Sequence, residues 1–505
     1  MKKTITIFLL AVIPLLSFTQ ENSAGKSYYV DYQLWNASEE KPNIHINCGN
    51  NDILNTGEEI TIEAWIRPNR AVEDQKIIGK AMLIDGGTTP DNGYVYGLNV
   101  ASVYSEIWNP ARNSVEITGP GTLAIDSAWM HITTTFKAGE KLINYVNGVL
   151  YSEVEVELTN PIGTNDGDLI IGLAPWDALS LMYFGQIDEI KIWNKALSDV
   201  EIKANMHIPL NGDEENLVAY YDFNDILNDT VITDLSGNEN TGKVRVHNNE
   251  FWSWADSYAP IGSDEMKNMS DIDASWSFKN PDQWQSFASG AAQGSTNIEE
   301  KEYEKYLVIG HDLETGVSTD FNPENTLDLE YKHANREFLL NVGGNVLATN
   351  LYIDLNSMGM EASEMAIDSE SSLYTLLWRE SESDNYTAKY HPTGVNLGFL
   401  IFENIPLTDG FYTIGYGEVE LNDIQQESFG KNIQVYPNPA NDIVTITNTK
   451  DKNIQIFDIS GRLINSFVSE SYAERFDVSG YHNGVYFVKI SQDNLSITRK
   501  IIINK

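Results

Sequence analysis

The sequence predicts an all-β protein made of several sandwich domains. Short runs in which apolar and polar residues alternate are rich in Val, Ile, Tyr and Thr, a pattern typical of half-buried strands. Helical periodicity is scarce and is clearest at 196–206, where Ser198 followed by Glu201 predicts a capping box. Tight turns between the runs are predicted by Asn-Gly and Asp-Gly pairs, at 92–93, 147–148, 166–167 and 409–410.

Residues 1–20 have the features of a secretory signal peptide. Lys2 and Lys3 precede an apolar run from Ile5 to Leu16, and small or polar residues follow it. The alternative is a buried helix, because the run is too short to span a bilayer. No cysteine stands directly after the run, and no later segment has the ~18 consecutive apolar residues of a membrane helix. We therefore expect an exported protein without a lipid anchor or a transmembrane segment.

The composition indicates the number of domains, the kinds of binding partner and whether a disulfide can form. The 505 residues leave room for about three domains of ~150 residues each. A formal net charge of −40 argues against nucleic acids and anionic membrane surfaces as partners. Cys48 is the single cysteine, so an intrachain disulfide is excluded. Residues 432–505 carry 8 Lys and Arg against 7 Asp and Glu, and this shift in charge marks a separate C-terminal module.

The first domain is predicted from seven segments that occur in a fixed order and resemble the laminin-G-like branch of the concanavalin-type jelly rolls. The resemblance covers about residues 27–250 and implies two antiparallel sheets packed face to face. The segments are EITIEAWIRP (59–68), KIIGKAML (76–83), AWMHITTTF (128–136), LINYVNGVLYSE (142–153), DLIIG (168–172), FGQIDEIKIWNKALSDVEI (184–202), and LVAYYDF with DLSGNENTG (217–223 and 234–242).

The two adjacent acids at 188–189 raise the question of a catalytic pair. Strict alternation along 187–193 places Asp188 on one face with Ile190, and Glu189 on the opposite face with Lys191. A glycosidase requires two carboxyl groups that converge on one sugar bond, roughly 5–9.5 Å apart. On this pattern the pair is not catalytic.

A calcium site is the first interpretation of Asp188. A carboxylate on an apolar strand face costs several kcal/mol unless it is paired or bound to metal. The resemblance implies that this aspartate helps to hold a structural calcium ion, and Asn50, Asn51 and Asp52 supply oxygen ligands at an expected neighbouring loop. The alternative is that Asp188 accepts hydrogen bonds from backbone amides of an adjacent loop.

Trp108 and Trp176 are the candidate ligand-binding residues. Both lie in loop-like sequence contexts, where an exposed ring stacks on the apolar face of a sugar. The alternative is that they belong to the core of a large sandwich. Glu63, Trp65 and His131 are expected to be structural, since the first two belong to the scaffold of the resembled family and the histidine is isolated.

Residues 270–420 are predicted to form a second β-sandwich. A polar stretch at 255–270 separates them from the first domain, and strands alternate with acidic turns along them. They resemble the β-domain that follows laminin-G-like modules in surface proteins of Bacteroidetes-type bacteria. His311 and His391 are isolated, and no nucleophile–base pair stands out. We interpret this region as a spacer or adhesion domain.

The C-terminal segment carries the most specific motifs. VYPNPANDIVTI (435–446), IQIFDISGRLI (454–464), FDVSGYHNGVYFVKI (476–490) and RKIIINK (499–505) resemble the type A sorting domain of the type IX secretion system over 432–505. Prolines 437 and 439 and glycines 461 and 484 fit the turns of a small sandwich. The resemblance implies periplasmic transit, export by the type IX translocon, and removal of the tail by a sortase-like peptidase. The linker at 421–431 is then the cleavage region.

These observations together predict a secreted, surface-displayed, non-catalytic binding protein. Its jelly roll is expected to contact glycans or other surface polymers. The alternative is a glycoside hydrolase or polysaccharide lyase on the concanavalin-type fold, and a third interpretation is a structural surface component without a small ligand. Fold alone does not decide among them.

Overall fold

The computed structural model describes residues 25–31, 43–69, 74–83, 92–111, 113–121, 123, 128–157, 162–176, 181–246, 251–276, 284–297, 305–319, 331–343, 349–358, 373–396, 398–417, 433–450, 452–459, 462–469, 471, 473–492 and 495–505. The predicted signal peptide at 1–20, the predicted linker at 421–431 and Gly461 lie outside these residues.

The first domain consists of strands β1–β17 and one α-helix among its described residues. The strands are β1 Lys26–Val30, β2 Ile44–Asn47, β3 Glu59–Pro68, β4 Gln75–Ala81, β5 Gly93–Asn99, β6 Ser102–Trp108, β7 Ser114–Thr118, β8 Met130–Lys137, β9 Lys141–Val146, β10 Val149–Glu155, β11 Ile170–Ile171, β12 Gly185–Trp193, β13 Leu217–Tyr221, β14 Ile226–Leu227, β15 Val231–Ile232, β16 Gly242–Val246 and β17 Trp252–Asp256.

These strands form two antiparallel sheets, as the sequence predicts. The first sheet has the order β10-β9-β8-β3-β12-β1-β17, with β13 also paired to β12, and the second has the order β14-β15-β16-β2-β11-β4-β5-β6-β7. Apolar side chains from the facing sides of both sheets pack into one core, including Ile62 and Ile132 from the first sheet and Tyr94 and Val103 from the second. The inner faces of the two sheets therefore face each other across a shared core.

Turn and cap chemistry agree with the sequence at two places. Asn147 (φ 52°) and Gly148 (φ 67°) both have left-handed backbones in the two-residue turn that joins β9 to β10. The helix, α1, spans Asp199–Asn205, and Ser198 and Glu201 form the predicted capping box at its start. The helix is shorter than the periodic segment 196–206 because its cap fixes the first turn.

A bulge in β12 changes which residues face the core. The pairing of β12 with β3 shifts between Asp188 and Lys191, and Glu189 has a φ of 50°. Ile187, Ile190 and Ile192 all join the sandwich core. The strict alternation expected along 187–193 is therefore wrong, since the extra residue places Asp188 on the outer side of the sheet instead of with Ile190.

The first domain extends beyond the predicted end at residue 250. Strand β17 pairs along its whole length with β1, so the last strand of the domain lies beside its first. The stretch 255–270, expected to be a polar separator, is buried at 257–261: Ser257 and Ala259 are both 0% exposed. A short 3₁₀ helix follows at Asp264–Asn268.

The second domain is a β-sandwich, as predicted. Its larger sheet has the order β18-β21-β24-β30-β23-β22 with β26 and β27 attached through β30, and its smaller sheet the order β19-β20-β25-β29-β28. Leu340 and Ile414 from the larger sheet and Leu351 and Phe402 from the smaller sheet share one core. The strands are β18 Ser270–Trp276, β19 Trp284–Ser289, β20 Ala292–Asn297, β21 Tyr306–His311, β22 Val317–Ser318, β23 Lys332–Ala334, β24 Phe338–Gly343, β25 Thr349–Asp354, β26 Tyr374–Arg379, β27 Thr387–Tyr390, β28 Gly394–Asn396, β29 Phe399–Ile405 and β30 Gly410–Tyr416.

The C-terminal module has two sheets, β31-β32-β35 and β34-β33-β36-β37, and its own apolar core, which includes Val444, Ile456 and Val488. Its strands are β31 Val435–Tyr436, β32 Ile443–Thr447, β33 Asn453–Asp458, β34 Leu463–Val468, β35 Ala473–Asp477, β36 Gly484–Gln492 and β37 Leu495–Ile503. Across the described parts of the whole chain, no helix has the length and hydropathy needed to cross a membrane.

Candidate functional site

The second domain covers the part of the outer face of the first sheet that surrounds Trp65. Trp65 on β3 is 0% exposed and packs in one cluster with Tyr306, Val308 and Phe411 of the second domain. We call this contact the domain interface. The Trp65 indole donates to the carbonyl oxygen of Met206 at 2.8 Å. A ligand cannot reach Trp65 while the two domains remain in contact.

Ionisable side chains are buried in the same interface. One carboxylate oxygen of Glu63 accepts a 2.7 Å hydrogen bond from the Trp193 indole, and the other lies 3.5 Å from His131 Nε2. Burial raises the pKa of Glu63 to about 7 and lowers the pKa of His131 well below its usual value. Burial also lowers the pKa of His207 to about 4. Enclosed in this way, Glu63, Trp65 and His131 fit the structural role that the sequence predicts for them.

Asp188 and Glu189 are enclosed beside this interface. The carboxylate of Asp188 accepts from the Glu189 backbone amide at 2.8 Å and from the Ser257 hydroxyl at 2.5 Å. The Glu189 carboxylate accepts from the Tyr220 hydroxyl at 2.9 Å and lies 3.6 Å from the Lys191 ammonium. Burial raises the pKa of both acids. They are only 2% and 4% exposed, so neither can act on a polysaccharide from this position.

The three predicted calcium ligands lie in two different parts of the first domain. Asp188 lies within β12 opposite Trp65, whereas Asn50 and Asp52 belong to the segment that precedes β3, and Asp52 opens the 3₁₀ turn Asp52–Leu54. Asn50 donates instead to the carbonyl oxygen of Asp166 at 3.1 Å. In the portions of the chain that the structure describes, no group of three or more His, Cys, Asp or Glu side chains is arranged to hold a metal ion. Calcium binding by Asp188 stays a prediction.

Trp108 and Trp176 are brought together, although not both in loops. Trp108 is the last residue of β6 and only 4% exposed, so the expectation of an exposed loop ring is wrong for this residue. The Trp176 ring lies 6.3 Å from it at 88°, in an edge-to-face contact. Trp176 is half-buried in the segment after β11. Of the two rings, Trp176 alone has substantial exposed surface for a ligand.

The two tryptophans lie on the outer face of the second sheet. Pairing across β4, β5, β6 and β7 places Gly79, Val95, Glu106 and Glu116 in one row, with Trp108 two residues further along β6. A Cβ atom added at Gly79 would lie 3.1 Å from Pro175, so the segment that carries Trp176 rests on this row. The exposed part of the face is at β7, where Glu116 is solvent-accessible.

Polar side chains cluster beside the rings on this face. The Tyr104 hydroxyl donates to the carboxylate of Glu106 and lies 3.4 Å from that of Glu116. The Lys76 ammonium lies 3.8 Å above the Tyr104 ring and 3.1 Å from the Asp74 carboxylate. Burial raises the pKa of Glu106, and the Glu116 charge adds to this effect, whereas Tyr104 and Lys76 oppose it.

This polar cluster is not predicted by the sequence patterns. Glu106 and Glu116 are ten positions apart and become direct cross-strand neighbours only when β6 and β7 form a hairpin. The available signal was a short polar segment at 109–113 between two alternating runs, which predicts such a hairpin. Register must then be fixed before the two acids can be matched.

Two protein-family models match parts of the chain. The family model of the concanavalin A-like lectin/glucanases superfamily matches residues 40–203, and that of the secretion system C-terminal sorting domain matches residues 434–504. No curated protein matches this sequence.

Solved structures show similarity at low identity. A protein from Bacteroides ovatus ATCC 8483, provisionally described as carbohydrate binding, is 16% identical with a TM-score of 0.36; the match covers 48% of this chain and 62% of that one, less than two thirds of its length. A heptameric SAP-like pentraxin from Limulus polyphemus is 13% identical with a TM-score of 0.27, covering 36% and 81%. The CBM40 of a Ruminococcus gnavus sialidase, bound to α2,3-sialyllactose, is 15% identical with a TM-score of 0.27, covering 36% and 94%.

The family matches coincide with two separately packed parts of the structure, the first sandwich and the C-terminal module. The chain thus carries a domain of the concanavalin A-like lectin/glucanases superfamily and ends in a secretion system C-terminal sorting domain.

Proposed function

We propose that this is a secreted, surface-displayed binding protein that contacts a glycan through the outer face of its second sheet. The observation that carries the proposal is the combination on this face of the half-buried Trp176 ring with Tyr104, Glu106 and Glu116. The second domain covers the part of the opposite outer face that surrounds Trp65. The outer face of the second sheet is therefore the broad face that we assign to the ligand.

The side chains on this face suit the chemistry of a sugar. A flat indole packs against the apolar face of a pyranose ring, and Trp176 is braced edge-to-face by Trp108. The carboxylates of Glu106 and Glu116 accept hydrogen bonds from sugar hydroxyl groups. Ring and acceptors lie on the same side of the sheet, so one sugar chain can contact both.

The charge of the protein favours neutral or amine-bearing glycans over anionic ones. The chain carries a formal net charge of −40, and the two acids on the proposed face add to the local negative potential. Sulfated or uronic acid polymers are repelled by such a surface at low ionic strength. We infer that the ligand is a neutral or cationic polysaccharide.

The sorting domain at 434–504 indicates secretion and attachment at the cell surface. In the proposed route the signal peptide at 1–20 directs the first export step, and the type IX translocon recognises the tail. The sortase-like peptidase then removes the tail at 421–431. The two remaining sandwiches are displayed outside the cell.

A glycan array tests the binding function. The purified protein is applied to neutral, cationic and anionic polysaccharides, with and without calcium. Saturable binding to a neutral or cationic polymer that is lost in Trp176→Ala and retained in Trp252→Ala, a half-buried tryptophan of the first sheet, supports the proposal. Absence of binding to all polymers contradicts the function, and binding that survives Trp176→Ala contradicts the site.

A second candidate function is glycan hydrolysis at the same face. Glu106 and Glu116 are direct cross-strand neighbours, the first half-buried with a raised pKa and the second exposed. A glycosidase uses two neighbouring carboxyl groups, one of which has a raised pKa and acts as the general acid. Release of reducing ends that disappears in Glu106→Gln would favour hydrolysis. Binding without turnover favours the proposed function.

A further inference from the structure

Lys80 is a buried cation in a loop that is rich in oxygen atoms. Its side chain is 0% exposed and lies on the inner side of β4, opposite Tyr94 of the sandwich core. The ammonium donates to the carbonyl oxygens of Gly167 at 2.6 Å and Asn165 at 2.8 Å. The side-chain oxygen of Asn165 lies at 3.5 Å. The ammonium therefore lies at the centre of the turn that leads into β11.

The surroundings of this ammonium are strongly negative. The carboxylates of Asp168, Asp166 and Asp52 all interact with it electrostatically and raise its pKa, in opposition to the larger effect of burial, which lowers it. Asp52 is one of the residues predicted from the sequence to hold calcium, and Asn50 contacts the same loop through Asp166. Asp52 of the predicted calcium-binding segment therefore lies near the Lys80 ammonium, and Asn50 contacts the loop that holds it.

The loop itself is built around these contacts. The Asn165 backbone amide donates to the side chain of Asn55 at 3.3 Å, and the side chain of Asn165 accepts from the Gly167 amide at 2.9 Å. Both amides are hydrogen-bonded to asparagine side chains, and the carbonyl oxygens of Asn165 and Gly167 accept hydrogen bonds from Lys80. Without a donor, the buried carbonyl oxygen of Asn165 would cost free energy comparable to a lost hydrogen bond.

A calcium ion does not fit among these oxygens while Lys80 is present. Calcium takes six to eight oxygen ligands at 2.3–2.6 Å. The ammonium already uses the two backbone carbonyls, and a divalent ion on the same oxygens would lie within a few ångströms of a like charge. Asn50 and Asp52, two of the residues predicted to hold calcium together with Asp188, lie beside this loop, and the structure places a side-chain cation among the loop's oxygen atoms.

We propose that the ammonium group of Lys80 replaces a metal ion as the structural cation of the loop 163–168. The loop of this domain is then held by a cation that is covalently part of the chain. Its order does not depend on calcium supply, and the acidic residues around it serve to balance the lysine charge.

Hydrogen exchange of the backbone amides at 163–168 in the purified protein tests the proposal. The wild-type rates are expected to be the same with calcium chloride and with a chelator. In Lys80→Met, which keeps the length of the side chain and removes the charge, exchange at 163–168 should accelerate about tenfold or more. Lys80→Arg should accelerate it less, because it retains the positive charge.

Lys76→Met is the matched control. Lys76 is also a buried lysine of β4, but its ammonium contacts Asp74 and the Tyr104 ring instead of backbone carbonyls. This variant should leave exchange at 163–168 unchanged. Slower hydrogen exchange at 163–168 of the wild-type protein in the presence of calcium would overturn the proposal. This measurement does not need a variant, so it tests the proposal even if Lys80→Met fails to fold. Unchanged exchange in a folded Lys80→Met would overturn it as well.

Discussion

The Asp188 carboxylate accepts a 2.5 Å hydrogen bond from the hydroxyl group of Ser257, 69 positions later in the chain. Ser257 is the first residue after β17, at the point where the chain leaves the first sandwich for the second. Both groups are buried. This bond ties the outer side of the bulged strand to the segment that connects the two domains.

Removing this donor should destabilise the protein. In Ser257→Ala one oxygen of a buried carboxylate loses its hydrogen bond, and we expect the free energy of unfolding to fall by about 1–3 kcal/mol. Urea unfolding followed by tryptophan fluorescence measures this change. Ser253→Ala, at an exposed position of β17, should remain within about 0.5 kcal/mol of the wild type. Equal losses in the two variants would show that the hydrogen bond is not the cause.

The calcium prediction for Asp188 has a direct test. If calcium satisfied this carboxylate, a chelator would lower the melting temperature of the full protein, and Asp188→Ala would abolish that difference. Because Ser257 and the Glu189 amide already donate to both oxygens, we expect melting curves that coincide with and without the chelator. A chelator-dependent fall that disappears in Asp188→Ala would restore the calcium assignment.

Stability should depend on pH through Glu63. Burial raises the pKa of this carboxyl from 4.5 to about 7. A carboxyl group whose pKa is raised in the folded protein contributes stability that is fully present below pH 4.5 and is lost as the pH rises through 7. The free energy of unfolding of Glu63→Gln, measured relative to that of the wild type, should therefore rise by roughly 3 kcal/mol between about pH 4.5 and pH 8. Urea titrations at a series of pH values measure the difference, and a constant offset between the two proteins would contradict the assignment.

The domain interface should depend on Trp65. Trp65→Ala removes a ring with no exposed surface from the interface cluster and should cost about 3–5 kcal/mol. We also expect faster proteolysis within 255–270, because that segment is enclosed by the same contact. Denaturant unfolding and limited proteolysis measure both effects. A destabilised Trp65→Ala protein whose 255–270 segment stays resistant would mean that the segment is protected by other contacts.

Glycan affinity should depend on Trp176 more than on Trp108. Loss of the Trp176 ring should weaken binding about 2- to 13-fold, which corresponds to 0.5–1.5 kcal/mol for an aromatic contact. Trp108→Phe keeps an aromatic brace under Trp176 and should have a smaller effect. Titration calorimetry with the polysaccharide identified on the array gives both constants. A larger loss in Trp108→Phe would place the contact elsewhere.

The C-terminal module should be absent from the working protein. It has its own core and its own family match, so deletion of 432–505 should leave the two upstream sandwiches folded but held in the periplasm. Fusion of 421–505 to an unrelated exported protein should carry that protein to the cell surface. Mass spectrometry of the native surface form should find no peptide beyond about residue 431. Surface protein that retains Lys505 would show that the tail is a permanent domain.

Local patterns predicted the fold of the first domain well. The segment EITIEAWIRP (59–68), one of those that carry the family resemblance, is strand β3 with the same limits, and Ser198 with Glu201 caps the helix as expected. The turn at 147–148 also has the backbone that its sequence demands. Each of these features depends on residues within a few positions of one another, so a single sequence contains the necessary information.

The candidate site depended on contacts that local patterns do not contain. One extra residue at Glu189 reversed the face of Asp188, and no propensity marks that residue as a bulge. The Glu106–Glu116 pair requires strand register, and Lys80 reaches a loop that follows it by some 85 positions. The burial of Trp108 depends on a segment that joins from elsewhere in the chain.

The position of β1 sets the time at which the first domain can fold. This strand lies between β12 and β17, and Val30 pairs with Gly185 on one side and Trp252 on the other. Its second partner is synthesised roughly 220 residues later, a delay of about 10–45 s at 5–20 residues per second. Such long-range closure is slow, because the chain entropy between the partners is lost before their contacts form. The nascent chain can therefore complete the pairing on both sides of β1 only after residue 256 has left the ribosome, an interval in which an export machinery can engage the incompletely folded domain.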